Sequence, residues 1–176
     1  MKRITILAML IWILTGCVST DSISQATTGT IGKIEILDGI LELAIYRDNN
    51  DKLTTADLFA SNSTGSAKVS LTPENINKLR GMIDMVLNQP LSADTQDKFT
   101  TLGIIESYER SGLVLSDVQH NGVRTSRLLT VGMYGIPRLH FNLSREELKQ
   151  FSRLLVKGIT ELNKELPATT TQEQPK

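Results

Sequence analysis

The 176 residues carry 19 basic and 19 acidic side chains and no formal net charge, so the chain lacks the positive excess that draws proteins to nucleic acid. A single cysteine excludes both a disulfide framework and a zinc site built on paired thiolates. Three tyrosines, four phenylalanines and one tryptophan are a thin supply for stacking on bases or sugar rings.

The N-terminus opens with Lys2 and Arg3, continues through an apolar run from Ile4 to Leu14, and closes on small Gly16 before Cys17. A basic n-region, a short h-region and a small residue at the cut site make a leader. The run falls short of the ~20 apolar residues that cross a bilayer. Leu14-Thr15-Gly16-Cys17 resembles the lipobox of bacterial lipoproteins, with Thr15 where Ala or Ser is commoner. That resemblance implies removal of residues 1–16, diacylglycerol on the Cys17 sulfur and acylation of the new terminus. The covalent lipid is the only cofactor expected, and two or three acyl chains anchor a protein stably where one does not. Val18 replaces the Asp that favours inner-membrane retention, so the same resemblance implies an outer-membrane protein facing the periplasm, with the inner membrane or cell surface as alternatives. Losing the leader takes 19 basic residues to 17 against 19 acidic ones and removes Trp12.

Residues 17–32 are rich in Ser, Thr and Gly and read as the lipidated Cys followed by a flexible tether. Residues 167–176 are polar with two prolines and read as a disordered tail. The body, residues 33–166, is long enough for one α+β domain with its own core.

Strands are expected at 33–37 and 40–46 about the turn Asp38-Gly39, then at 52–59 after Asn49-Asn50, and at 67–71. Leu71-Thr72-Pro73 starts a helix that ends before Pro90, with Leu79, Met82, Ile83 and Leu87 on one face. The pattern then returns: strands at 99–109, 113–119, 123–131 and 138–143, with turns at Arg110-Ser111-Gly112 and Asn121-Gly122. A second helix begins at the capping box Ser144-x-x-Glu147 and ends before Pro167.

At an offset of 72 residues Leu71-Thr72-Pro73-Glu74 falls on Leu143-Ser144-Arg145-Glu146, and Leu79, Met82, Ile83 and Leu87 fall on Phe151, Leu154, Leu155 and Ile159. The sequence therefore reads as duplicated ββββα units, repeats 33–90 and 99–166, with antiparallel sheets and two amphipathic helices packed on one side. This element order resembles the Whirly and PUR-like architecture over residues 33–163, without a shared motif. Those families bind single-stranded nucleic acid; this chain lacks their basic, aromatic surface, and fold likeness alone does not carry function.

No stretch has a recognisable catalytic spacing. Asp48, Asn50, Asp51 and Asp57 cluster in sequence, but a calcium loop started at Asp48 places Leu53 where Gly is required and Phe59 where the bidentate Glu belongs. His120 beside a turn and His140 in a strand have no metal-site spacing, and no G-x-S-x-G elbow occurs. Gly132 to Pro137 reads as a turn between strands. No catalytic residue and no metal ligand is assigned. Lys149, Arg153 and Lys157 recur every fourth residue, a basic stripe open to solvent or to anionic headgroups or a partner.

The reading reached from sequence is a lipid-anchored envelope protein, held to the membrane by its anchor. Its body is a non-catalytic binding or assembly module for another envelope component, most simply a protein. The competing reading is an envelope hydrolase or metal-dependent enzyme whose residues come from separate strands. A deep polar pocket around a histidine favours the enzyme; an exposed apolar patch or an open sheet edge favours the binding module.

Overall fold

The computed structural model describes residues 27–47, 54–90, 96–107, 111–132 and 135–165. The leader, Cys17, the tether as far as residue 26, the Asn49-Asn50 turn and the tail lie outside the described residues. Strands β1 (Thr27–Ile36), β2 (Gly39–Arg47), β3 (Thr54–Asn62) and β4 (Gly65–Leu71) form one antiparallel meander followed by α1 (Pro73–Asn88). A second meander, β5 (Lys98–Glu106), β6 (Gly112–His120), β7 (Val123–Val131) and β8 (Pro137–Leu143), is followed by α2 (Arg145–Glu165). The chain is α+β with the ββββα unit present twice.

Alternation decides which side of each strand faces inward. Leu41, Leu43 and Ile45 of β2, Ala56, Leu58 and Ala60 of β3, and Val69 and Leu71 of β4 are buried on the inner face of the first sheet. Ile105, Leu113, Leu115, Leu128, Phe141 and Leu143 do the same in the second. Both sheets and both helices share one hydrophobic cluster.

Each helix lies mainly on the sheet of the other unit: α2 packs against β1, β2 and β3, and α1 against β5 and β6. The reason is visible at the two first strands. Each carries a bulge followed by glycine, between Thr30 and Gly32 in β1 and between Thr101 and Gly103 in β5. A Cβ on Gly32 would stand 3.1 Å from Leu154 of α2, and one on Gly103 would stand 2.5 Å from Met82 of α1. Met82 and Leu154 are the residues that the 72-residue offset superposes. The bulge curves the edge strand, and the bare glycine lets the other unit's helix settle into the curve.

The helix starts are tied the same way. Thr72 Oγ1 accepts from Asn75 N (3.2 Å), and Ser144 Oγ accepts from Glu147 N (3.3 Å) while Ser144 N donates to Glu147 Oε2 (2.8 Å). Both N3 side chains then reach the other unit: Asn75 Nδ2 donates to Glu106 O (3.1 Å), and Glu147 Oε1 accepts from Leu37 N (2.8 Å). Asp38 Oδ2 adds bonds from Asn142 N (2.9 Å) and Nδ2 (3.2 Å). At the far end of α1 the open carbonyls meet two arginines: Arg145 binds Leu87 O, and Arg124 Nη1 donates to Pro90 O (3.2 Å). Arg124 is itself held by Asp117, Nε to Oδ1 at 2.8 Å.

The structure corrects several boundaries. Residues 27–32, which composition assigns to the tether, belong to β1, because Thr27, Thr30 and Ile31 suit an edge strand and the glycines serve its bulges. The first hairpin turns at Leu37-Asp38, not Asp38-Gly39, since Ile36 pairs with Gly39. Gly39 opens β2 at φ +156°, where an added Cβ would lie 2.1 Å from Ser61 O and 3.0 Å from the Phe141 ring. Ser63-Thr64 forms the turn, with Asn62 Oδ1 accepting from Thr64 N (2.9 Å), so that β3 runs on to Asn62 and β4 starts at Gly65 instead of ending at 59 and starting at 67. Asn121-Gly122 turns as expected, with φ of 49° and 76°.

Two measurements check this packing. Gly39→Ala should destabilise the fold by ~2–3 kcal/mol in urea unfolding, through strain and collision with backbone. Gly81→Ala, with nothing within 4 Å of the new methyl on α1, should stabilise it by ~0.5–1 kcal/mol. Burial pushes the Glu147 carboxyl pKa upward, but bonds from Ser144 and Leu37 outweigh it and leave the pKa below its ordinary 4.5. Its contribution is therefore present above that value and is lost as pH falls through the lower folded one. Glu147→Gln should cost ~1 kcal/mol at pH 7, with the gap to the parent narrowing as the pH of unfolding is lowered below 4.5.

Candidate functional site on the outer face of the second sheet

The outward residues of the two meanders occupy matching positions with different chemistry. Across the first sheet Ala44 pairs with Asp57 and Asp57 with Ser70; across the second Ser116 pairs with Arg127 and Arg127 with Asn142. The charge at the centre of the face is thus inverted between the units.

Asp57 is closed off. It is 2% exposed, with Lys68 Nζ 3.4 Å from Oδ2 and Thr55 Oγ1 3.4 Å from Oδ1. Ser70 Oγ, buried across from it, makes no hydrogen bond. Lys68 also lies over the Tyr46 ring. A paired, sealed carboxylate of this kind is a structural ion pair; no substrate reaches it.

Arg127 is open. Its side chain crosses the outer face of β6 to stand 5.9 Å from the Phe99 ring centroid, and its Nε donates to the neutral Asn142 Oδ1 at 3.4 Å. Among the described residues no carboxylate pairs with it directly; the nearest linked acid, Asp38, accepts from the Nδ2 of the same Asn142 (3.2 Å). Around it runs a groove of about 650 Å3 whose apolar walls are Phe99, Val118 and Val123. Phe99 and Val123 are 59% and 64% exposed, and Ile104 continues the apolar strip along β5. Such a run on one side of a sheet is an interaction surface by its cost in water.

One end of the groove is polar. Asp97 accepts from His120 Nδ1 (2.8 Å) and from Asn121 N (3.0 Å), fixing the β6–β7 turn to the chain that enters β5. The Asn121 amide, aided by His120, holds the Asp97 carboxyl below its ordinary pKa of 3.8. His140 lies on the outer face of β8, exposed and opposite Leu129. The two histidines belong to different strands and build no joint site. Among the described residues no group of three His, Cys, Asp or Glu side chains is arranged to hold a metal.

The basic stripe lies on the exposed side of α2. Lys149 is engaged by Glu146 (3.3 Å), and Lys157 borders a second groove between β1 and α2 that also contains Glu161. Its field is diluted by acids on the same helix. Asp48, Asn50 and Asp51 lie outside the described residues, as does Cys17. No described helix is long and apolar enough to cross a membrane.

Neither Arg127 nor Phe99 stands out in the sequence as a site residue. The available signal was alternation in 123–131, where Val123 and Arg127 share the parity opposite to Leu128; in β5 the bulge between Thr101 and Gly103 breaks the alternation and brings Phe99 onto the face of Ile104. An NMR titration should place the Asp97 midpoint below 3.8. In His120→Ala it should move only part of the way back, because the Asn121 amide remains. No protein-family model and no curated protein matches this chain.

Proposed function

We propose that the chain is a lipid-anchored protein of the bacterial envelope, fixed through Cys17 to the outer membrane and facing the periplasm. Its body is a non-catalytic module that binds or assembles with another envelope component. The observation that carries the binding role is the open apolar groove around Arg127 on the second sheet. It is shallow and apolar-walled, unlike a polar catalytic pocket, and its rigid strands present the side chains without rearrangement. The anchor rests on the Leu14-to-Cys17 stretch, and a tethered body needs only modest affinity because its partner is already concentrated at the same surface.

Two experiments test the two halves of this reading. Labelled palmitate should enter the wild-type protein and be absent from Cys17→Ser, which should also leave the membrane fraction; label surviving in Cys17→Ser would sink the anchor. A photoactivatable phenylalanine placed at Val123 should capture an envelope component in intact membranes, and the same residue at Lys149 should not. Capture at Lys149 alone would move the binding role from the sheet to α2.

A further inference from the structure

We infer that the groove on the second sheet takes an anionic lipid, its acyl chain along Phe99, Val118 and Val123 and its phosphate on Arg127. This rests on the binding role proposed above for that face and names its ligand chemistry.

Arg127 is held in place by Phe99 and Asn142, neither of which neutralises it. The other guanidinium of β7, Arg124, is satisfied by Asp117. A positioned guanidinium beside an apolar wall matches a molecule with an anion at one end and a hydrocarbon at the other. Arg138 and His140 of β8 share the outer face and add basic groups on the same side as Arg127. The acids near that face are engaged or at its end: Asp97 is occupied by His120 and Asn121, Asp38 accepts from Asn142 N and Nδ2, and Glu106 lies at the last residue of β5.

Two other occupants fit less well. An extended peptide would dock by adding a strand to the free edge at β5, but the bulge between Thr101 and Gly103 bends that edge away from regular pairing. Single-stranded nucleic acid needs successive stacking platforms, and among the described residues this groove has one aromatic wall, Phe99.

The test uses the full-length lipidated protein in phosphatidylcholine vesicles containing a photoactivatable phosphatidylglycerol. Adducts should concentrate on the peptides of β5 and of the β6–β7 hairpin. A photoactivatable diacylglycerol with the same chains but no phosphate should label these peptides about fivefold less, the loss expected for one charge-assisted contact. Arg127→Ala should lower labelling by a similar factor, and Arg127→Lys should restore part of it. Arg127 is exposed, so circular dichroism of both variants should match the parent. Labelling that ignores the headgroup, is unchanged in Arg127→Ala, or falls on Lys149 to Lys157 overturns the inference. If the Val123 crosslinker captures a protein while the lipid probe leaves the groove unlabelled, the binding role stands and the lipid assignment fails. If neither reacts there, both fail.

Discussion

The exchange of helices between the two sheets is the constraint on which the rest of this molecule depends. A four-stranded meander has one apolar face and needs a layer over it. Here the layer comes chiefly from the other unit, through Leu154 over Gly32 and Met82 over Gly103. Neither half completes its own core. Leu41, Leu43 and Leu58 are fully buried on a sheet whose principal cover is α2, the last element of the chain.

That constraint also places the outer faces. With their inner sides committed to the shared core, the sheets turn Asp57 and Arg127 outward at equivalent positions. Duplication makes such pairs cheap to diversify, because a residue on the outer face is free of the packing rules that govern the inner one. One copy has used this freedom to close its centre with an Asp57–Lys68 pair. The other leaves a guanidinium beside a phenylalanine in a groove.

Much of the architecture was legible because period, caps and turns are local. Thr72-Pro73 and Ser144-x-x-Glu147 announced the helices, Asn121-Gly122 announced a hairpin, and the 72-residue offset announced the repeat. The misread stretches were those where one residue type serves two purposes. The glycines of 27–32 look like linker but supply bulges and room for Leu154, and Asn62 both ends β3 and, by accepting from Thr64, shapes the turn into β4. The groove was harder still. Arg127 gains its character from Phe99 on a strand two positions away in the sheet, and from Asn142 in place of a carboxylate. Neither relation is a spacing in sequence. The same holds for Arg124 and Arg145, whose role at the C-terminal end of α1 depends on elements formed 34 and 58 residues from their acceptors.

The bonds from Leu37 N to Glu147 and from Asn142 N to Asp38 close loops of 110 and 104 residues. A chain made from its N-terminus therefore completes the first sheet long before the helix that covers it exists. Until α2 emerges, the leucines of β2 and β3 face water, and the meander is exposed to pairing with other chains. Such non-local closure slows folding and makes the end of synthesis, rather than its beginning, the moment at which the first unit becomes secure. Loss of α2 would thus uncover Leu43, against which Gly158 packs, and leave the early sheet, not the late one, as the source of aggregation.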